Sequence, residues 1–239
     1  MYGWRARIGL IADTKDCVER SFHEWAPNGV SYTTSRLVTP QASEEGADVL
    51  ADRLEAEAAK FNGYPIDFIV AAPLMGSFVK GIEWDKACVE RMEKASGAGV
   101  VTAGMALVDA FKALGVNKIA VVTPYDEAAG AMERKFFESC GFEVTTVFNM
   151  DASYVCRHGR TLESADGYFL YRNSLKAELN GAEALLISSM ELATMEIIDE
   201  LELVLGIPVV TGHQAALWAG LRHARVGAKP EKLGKLFQL

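Results

Sequence analysis

The sequence predicts an α/β protein made of two similar, pseudo-symmetric halves, each with a parallel sheet. Three observations carry this. Short apolar runs alternate with longer helical patterns, the runs lack polar alternation, and their order repeats after about 110 residues.

The elements follow in order. Strands are predicted at Arg7–Ala12, Ser31–Leu37, Phe68–Ala72, Gly99–Thr102, Lys118–Thr123, Glu143–Asn149, Ala184–Ser188 and Pro208–Thr211. They are rich in Val and Ile, as expected of parallel strands covered on both faces. Between them, Ala42–Lys60 carries Val49, Leu50, Leu54 and Ala58 as a helical stripe. Met105–Leu114, Glu127–Cys140 and Thr194–Leu205 are each followed by a glycine suited to a helix C-cap (Gly115, Gly141 and Gly206). The repeat pairs Ile8–Asp16 with Ile119–Glu127, Phe68–Pro73 with Leu185–Ser189, and Val100–Ala106 with Val209–Ala215. Residues 1–103 are therefore assigned to an N-terminal half, to which the chain returns near 210–239, and residues 104–239 to a C-terminal half.

Composition narrows the function. The 239 residues hold 24 Lys and Arg against 32 Asp and Glu, a formal charge of −8. That balance argues against non-specific nucleic-acid binding, which needs cations to neutralise phosphates. No run of apolar residues is long enough for a membrane span, and the N-terminal stretch lacks a signal-peptide pattern. The four cysteines form no CxxC pair and the four histidines show no zinc spacing. A cytoplasmic protein with reduced thiols, no nucleic-acid or membrane partner and no metal site is expected. GxGxxG, GxxxxGK[ST] and GxSxG are all absent, so nicotinamide, ATP and α/β-hydrolase readings have no motif behind them.

In open α/β sheets ligands bind beyond the strands' carboxyl ends. If the two halves face each other, one cleft collects the loops Ala12–Cys17, Pro73–Ser77, Thr123–Asp126, Ser188–Glu191 and Thr211–Gln214. The turn Pro73-Leu74-Met75-Gly76-Ser77 offers backbone N–H groups and a hydroxyl suited to a carboxylate or an enolate, or else is a plain helix cap. Ser189 could relay a proton or hold an oxyanion if Glu191 or His213 served as its base; capping is the alternative. Tyr125 ends a strand, where its phenol can aim at a substrate oxygen or simply pack. His213 is a candidate acid–base because an unperturbed imidazole titrates near neutral pH; a surface or structural histidine is the alternative. Asp13 and Asp16 could bind an amino group or a metal, or be solvated loop acids.

Taken together, Arg7–Ile11, Thr34–Arg36, Pro73–Gly81, Ala113–Val116, Val122–Tyr125, Leu185–Ser189, Pro208–Thr211 and Gln214–Trp218 resemble the aspartate/glutamate racemase superfamily. The resemblance is to its maleate isomerase and arylmalonate decarboxylase branch and runs nearly end to end. It implies two pseudo-symmetric α/β halves with the site in the cleft between them, no cofactor, and often a homo-oligomer. In that family racemases use two facing cysteines, isomerases use one as a nucleophile, and decarboxylases keep only the second, as a proton donor. Backbone N–H groups and a tyrosine hold the oxyanion.

Here Pro73 stands in the first cysteine's place and Ser189 in the second's, Asp16 replaces an asparagine, and His213 replaces the asparagine before Gln214. Tyr125 is retained. Proline offers no nucleophile and serine is a far weaker acid than a thiol, so two-base racemisation and a cysteine adduct are not expected. The expectation is a cofactor-independent enzyme on a small carboxylate, working through an enolate as a decarboxylase or isomerase. Tyr125, Ser189 and His213 are the catalytic candidates. Asp16, Pro73, Leu74, Met75, Gly76, Ser77, Met190 and Glu191 are the substrate-binding ones. The alternatives are a hydrolase of a small amide, lactam or ester using His213, and a non-catalytic carboxylate-binding relative.

Overall fold

A computed structural model describes residues 3–15, 17–157 and 160–239. The chain divides into two compact units, one running to Ala106 and including Ala216–Ala228, the other formed by Leu107–Ala215 and Lys229–Leu239.

The first unit holds a four-stranded parallel sheet in the order β2-β1-β3-β4. Its strands are β1 (Ala6–Asp13), β2 (Val30–Leu37), β3 (Phe68–Ala71) and β4 (Val100–Thr102). The central pairing sets Ile8 opposite Phe68 and Ile11 opposite Ala71. Both inner strands are apolar at nearly every position because helices cover both faces. Helices α1 (Cys17–Trp25), α2 (Glu44–Ala59), α3 (Met75–Lys80) and α4 (Ile82–Ser96) belong to this unit. α2 starts at an N-cap, Ser43, whose side chain accepts from the Gly46 N–H at 3.0 Å. It presents Leu50, Leu54 and Ala58 to a core with Ile11, Phe61, Ile69 and Met92.

The second unit repeats the topology as β6-β5-β7-β8. Its strands are β5 (Lys118–Thr123), β6 (Glu143–Asn149), β7 (Ala184–Ile187) and β8 (Val209–Thr211). α6 (Glu127–Ser139), α7 (Gly167–Ser174) and α8 (Ile198–Leu205) lie wholly in it. Phe111, Phe136, Phe137 and Phe142 form its edge-to-face aromatic cluster. Two helices, α5 (Ala103–Leu114) and α9 (Gly212–His223), follow β4 and β8 respectively. Residues 229–239 close over α8: the Leu233 and Gly234 N–H groups donate to Asp199, and the Lys235 N–H donates to Glu202. Gln214 adds a bond from its side-chain N–H to the Leu233 carbonyl at 2.8 Å.

All eight predicted strands are present with ends shifted by at most one residue. The predicted helix Thr194–Leu205 instead begins as a short 3₁₀ turn before α8. No described helix is long and apolar enough to cross a membrane.

Candidate active site

In the second unit, β5 and β7 lie side by side and place their carboxyl ends together. Val122 pairs with Ile187, and the Ser188 N–H donates to the Val122 carbonyl at 2.8 Å. Two residues beyond β5 and β7, Tyr125 and Ser189 meet: the phenol oxygen lies 3.1 Å from Ser189 Oγ. Ser189 Oγ also accepts from the Glu191 N–H at 2.9 Å. Ser189 is fully buried and its φ is 154°, a backbone state costly for a residue with a Cβ.

The turn between β8 and α9 packs against this loop. A Cβ on Gly212 would stand 2.6 Å from Met190 Sδ and 3.0 Å from the Ser189 carbonyl, so a larger residue would have to push Met190 and the turn aside. His213 is completely buried, with Nε2 3.1 Å from the Met190 carbonyl oxygen. Burial pushes its pKa down to about 4, with the bond to Met190 acting weakly the other way. A neutral ring at physiological pH donates its Nε2–H to that carbonyl and holds the Ser189–Glu191 turn in place. This geometry gives the ring a positioning role on the turn.

Beneath the pair lies a group the sequence reading did not single out. Glu133 on α6 is fully buried and accepts from Thr123 Oγ1 at 2.9 Å. Burial pushes its pKa up to about 8, against the opposing effect of the nearby Thr123 and Ser188 hydroxyls. It falls on the stripe Gly130, Glu133, Phe136, Phe137, all buried. A carboxylate at an apolar position of that stripe was the available signal.

In the first unit, Pro73 and Leu74 are buried, Leu74 acts as the N-cap of α3, and Met75 is half-buried. Trp84 packs closely on the turn: a Cβ on Gly76 would meet its ring at 2.1 Å. The Ser77 hydroxyl, expected to face a ligand, is fully buried and donates to Asp85 Oδ1 at 3.0 Å. Asp85, also missed, is fully buried, and desolvation lifts it to about 7 despite the Thr102 and Ser77 hydroxyls. The remaining binding candidate, Asp16, lies outside the described residues. Among the described residues no cluster of His, Cys, Asp and Glu is arranged to hold a metal ion. A cavity of about 590 Å³ in the second unit, lined by Tyr154, Arg157, Arg160 and Phe169 among others, includes none of the predicted site residues.

Comparison with known proteins identifies the family. A family model described as arylmalonate decarboxylase matches residues 21–237. The chain is 25% identical over 207 residues to arylmalonate decarboxylase of Bordetella bronchiseptica, covering 86% of this chain and 85% of that one. It is 21% identical over 210 residues to maleate isomerase of Pseudomonas putida, covering 82% and 79%. Among solved structures, unliganded arylmalonate decarboxylase superposes with a TM-score of 0.84 at 22% identity, covering 98% of this chain and 99% of that one. Maleate isomerase Iso from Pseudomonas putida S16 gives 0.83 at 19% identity, covering 97% and 98%. With the family match spanning nearly the whole sequence, the chain belongs to the arylmalonate decarboxylase family, within the aspartate/glutamate racemase-like superfamily.

Proposed function

We propose that this protein is a cofactor-independent enzyme acting on a small carboxylate through an enolate-type intermediate. Decarboxylation of a substituted malonate is the leading reaction and cis–trans isomerisation the runner-up. Family membership supports the general chemistry. Pro73 at the first strand-end turn favours decarboxylation, because an isomerase of the resembling type needs a nucleophile there and proline supplies none.

The observation that carries the reading is the Tyr125–Ser189 pair. Ser189 Oγ already accepts an N–H from Glu191, so its own proton is free to point at the phenol oxygen. A hydroxyl donating to a phenol oxygen makes the phenol a stronger donor in turn. Tyr125 then presents its O–H to the oxygen on which negative charge develops as carbon dioxide leaves. The electron pair of the broken C–C bond resides in the enediolate. The carbon takes its proton from the Tyr125 phenol, and the half-buried phenolate regains one from solvent. The N–H group of Met190 is proposed as a further oxyanion donor. His213, bonded to Met190, positions the turn; for the same reason we set aside hydrolysis through His213.

Proton NMR in D₂O with substituted malonates, maleate and small amides or lactams tests this. Loss of one carboxyl with a new C–D bond is expected from a malonate. Tyr125→Phe is expected to lower kcat by about 10²–10³, as for removal of one oxyanion donor. Ring or amide opening without carbon-bound deuterium, or saturable binding with no turnover, refutes the reading.

A further inference from the structure

We infer that Glu133 is a positioning residue held as a neutral carboxylic acid, bridging Thr123 and Ser188 so that one buried proton sets the Tyr125–Ser189 pair. Its relevance to catalysis rests on the reading above; its protonation state does not.

The geometry is closed on one side and open on the other. Thr123 Oγ1 donates to Glu133 Oε1 at 2.9 Å and itself lies 3.4 Å from the Tyr125 N–H as that group's acceptor. Glu133 therefore fixes the hydroxyl that the Tyr125 backbone leans on. Glu133 Oε2 is buried without a hydrogen-bond partner, and so is Ser188 Oγ. Ser188 is nonetheless near enough to act on the Glu133 carboxyl. Either a proton on Oε2 or the Ser188 hydroxyl can join these two atoms, and only the first leaves no charge buried there. Ser188 is joined by one peptide bond to Ser189, so the acid holds the second partner of the pair as it holds the first.

Charge argues the same way. The polar groups acting on Glu133 are the hydroxyls of Thr123 and Ser188, and no lysine, arginine or histidine compensates it among the described residues. An unpaired buried carboxylate is far costlier than a hydrogen-bonded acid. A carboxylate behind Tyr125 would also oppose an anionic intermediate, whereas a neutral acid does not.

The test is an infrared difference spectrum of wild type minus Glu133→Gln near pH 7 in D₂O, joined to kinetics of Glu133→Gln and Glu133→Ala. The glutamine reproduces one acceptor and one donor. The difference spectrum is expected to contain the C=O stretch of a protonated carboxyl group. Glu133→Gln is expected to keep kcat within about threefold, while Glu133→Ala loses about tenfold or more in kcat with KM less affected. Carboxylate bands alone in the difference, or a Glu133→Gln loss as large as that of Glu133→Ala, would overturn the proposal. If the alanine variant does not fold, the glutamine spectrum and rate decide. If no substrate is turned over, the functional reading fails and the spectrum still decides the state of Glu133.

Discussion

Replacing Asp85 by Asn should make the protein more stable, and increasingly so as the pH rises. In the fold Asp85 titrates near 7 against a model-compound value of 3.8. The raised value means that the folded state favours the protonated form. Its contribution is full below about pH 3.8 and is lost as the pH climbs through 7. At about 1.4 kcal/mol per unit, the loss reaches about 4 kcal/mol above neutrality. Between about pH 5.5 and pH 8.5 the two titrations together predict a change of about 2 kcal/mol. Asn has no charge to bury, and its carbonyl still accepts from Ser77 while its amide can face Thr102. Space is too short for a hydrating water, since even a Cβ on Gly104 would sit 2.7 Å from Asp85 Oδ2. Urea unfolding of both proteins across that pH range measures the difference directly. A stability gap that does not widen with pH would refute the claim that Asp85 is a desolvated acid.

Two further substitutions follow from the loop packing. His213→Gln keeps an N–H for the Met190 carbonyl but removes a group held neutral down to about pH 4. Because an unfolded histidine protonates near 6.5, the wild type should lose stability as pH falls from 6.5 to 4, and the variant should lose less. Its pH–rate profile should keep the wild-type shape; a missing limb would make His213 the acid–base after all. Gly212→Ala forces a methyl group against Met190 and the Ser189 carbonyl, an overpacking that costs about 1–3 kcal/mol by thermal or urea unfolding. An unchanged midpoint would mean that the turn yields freely.

The strands were legible because burial on both faces writes itself into local composition. Phe68–Ala71 and Ala184–Ile187 contain no polar residue to confuse the pattern. α4 was not legible: seven of the fifteen residues in IEWDKACVERMEKAS are charged, and its buried face reads Asp85, Cys88, Met92, Ser96. A carboxylate at the head of that stripe hides the helix and marks its most unusual residue. The site was legible by residue and illegible by contact. Tyr125 and Ser189 could be named from their strand ends, but their meeting depends on β5 pairing with β7 across more than sixty positions. The state of His213 depends on burial, which no loop sequence discloses. Asp85 and Glu133 escaped notice because acids are read as surface residues until a core closes around them.

The bonds that residues 229–239 make to α8 also bear on the order in which a nascent chain can fold. Asp199 and Glu202 are made long before the backbone N–H groups of Leu233, Gly234 and Lys235 that satisfy them. The first unit likewise waits for Ala216–Ala228, where His223 stacks on Phe68 at 4.4 Å. Neither unit is a contiguous stretch that can be completed and set aside while the ribosome continues. At about 5–20 residues per second, some seconds pass with half-built sheets exposed. Vectorial synthesis therefore gives this chain little protection, and its solubility during production should respond to chaperone supply more than its folded stability would suggest.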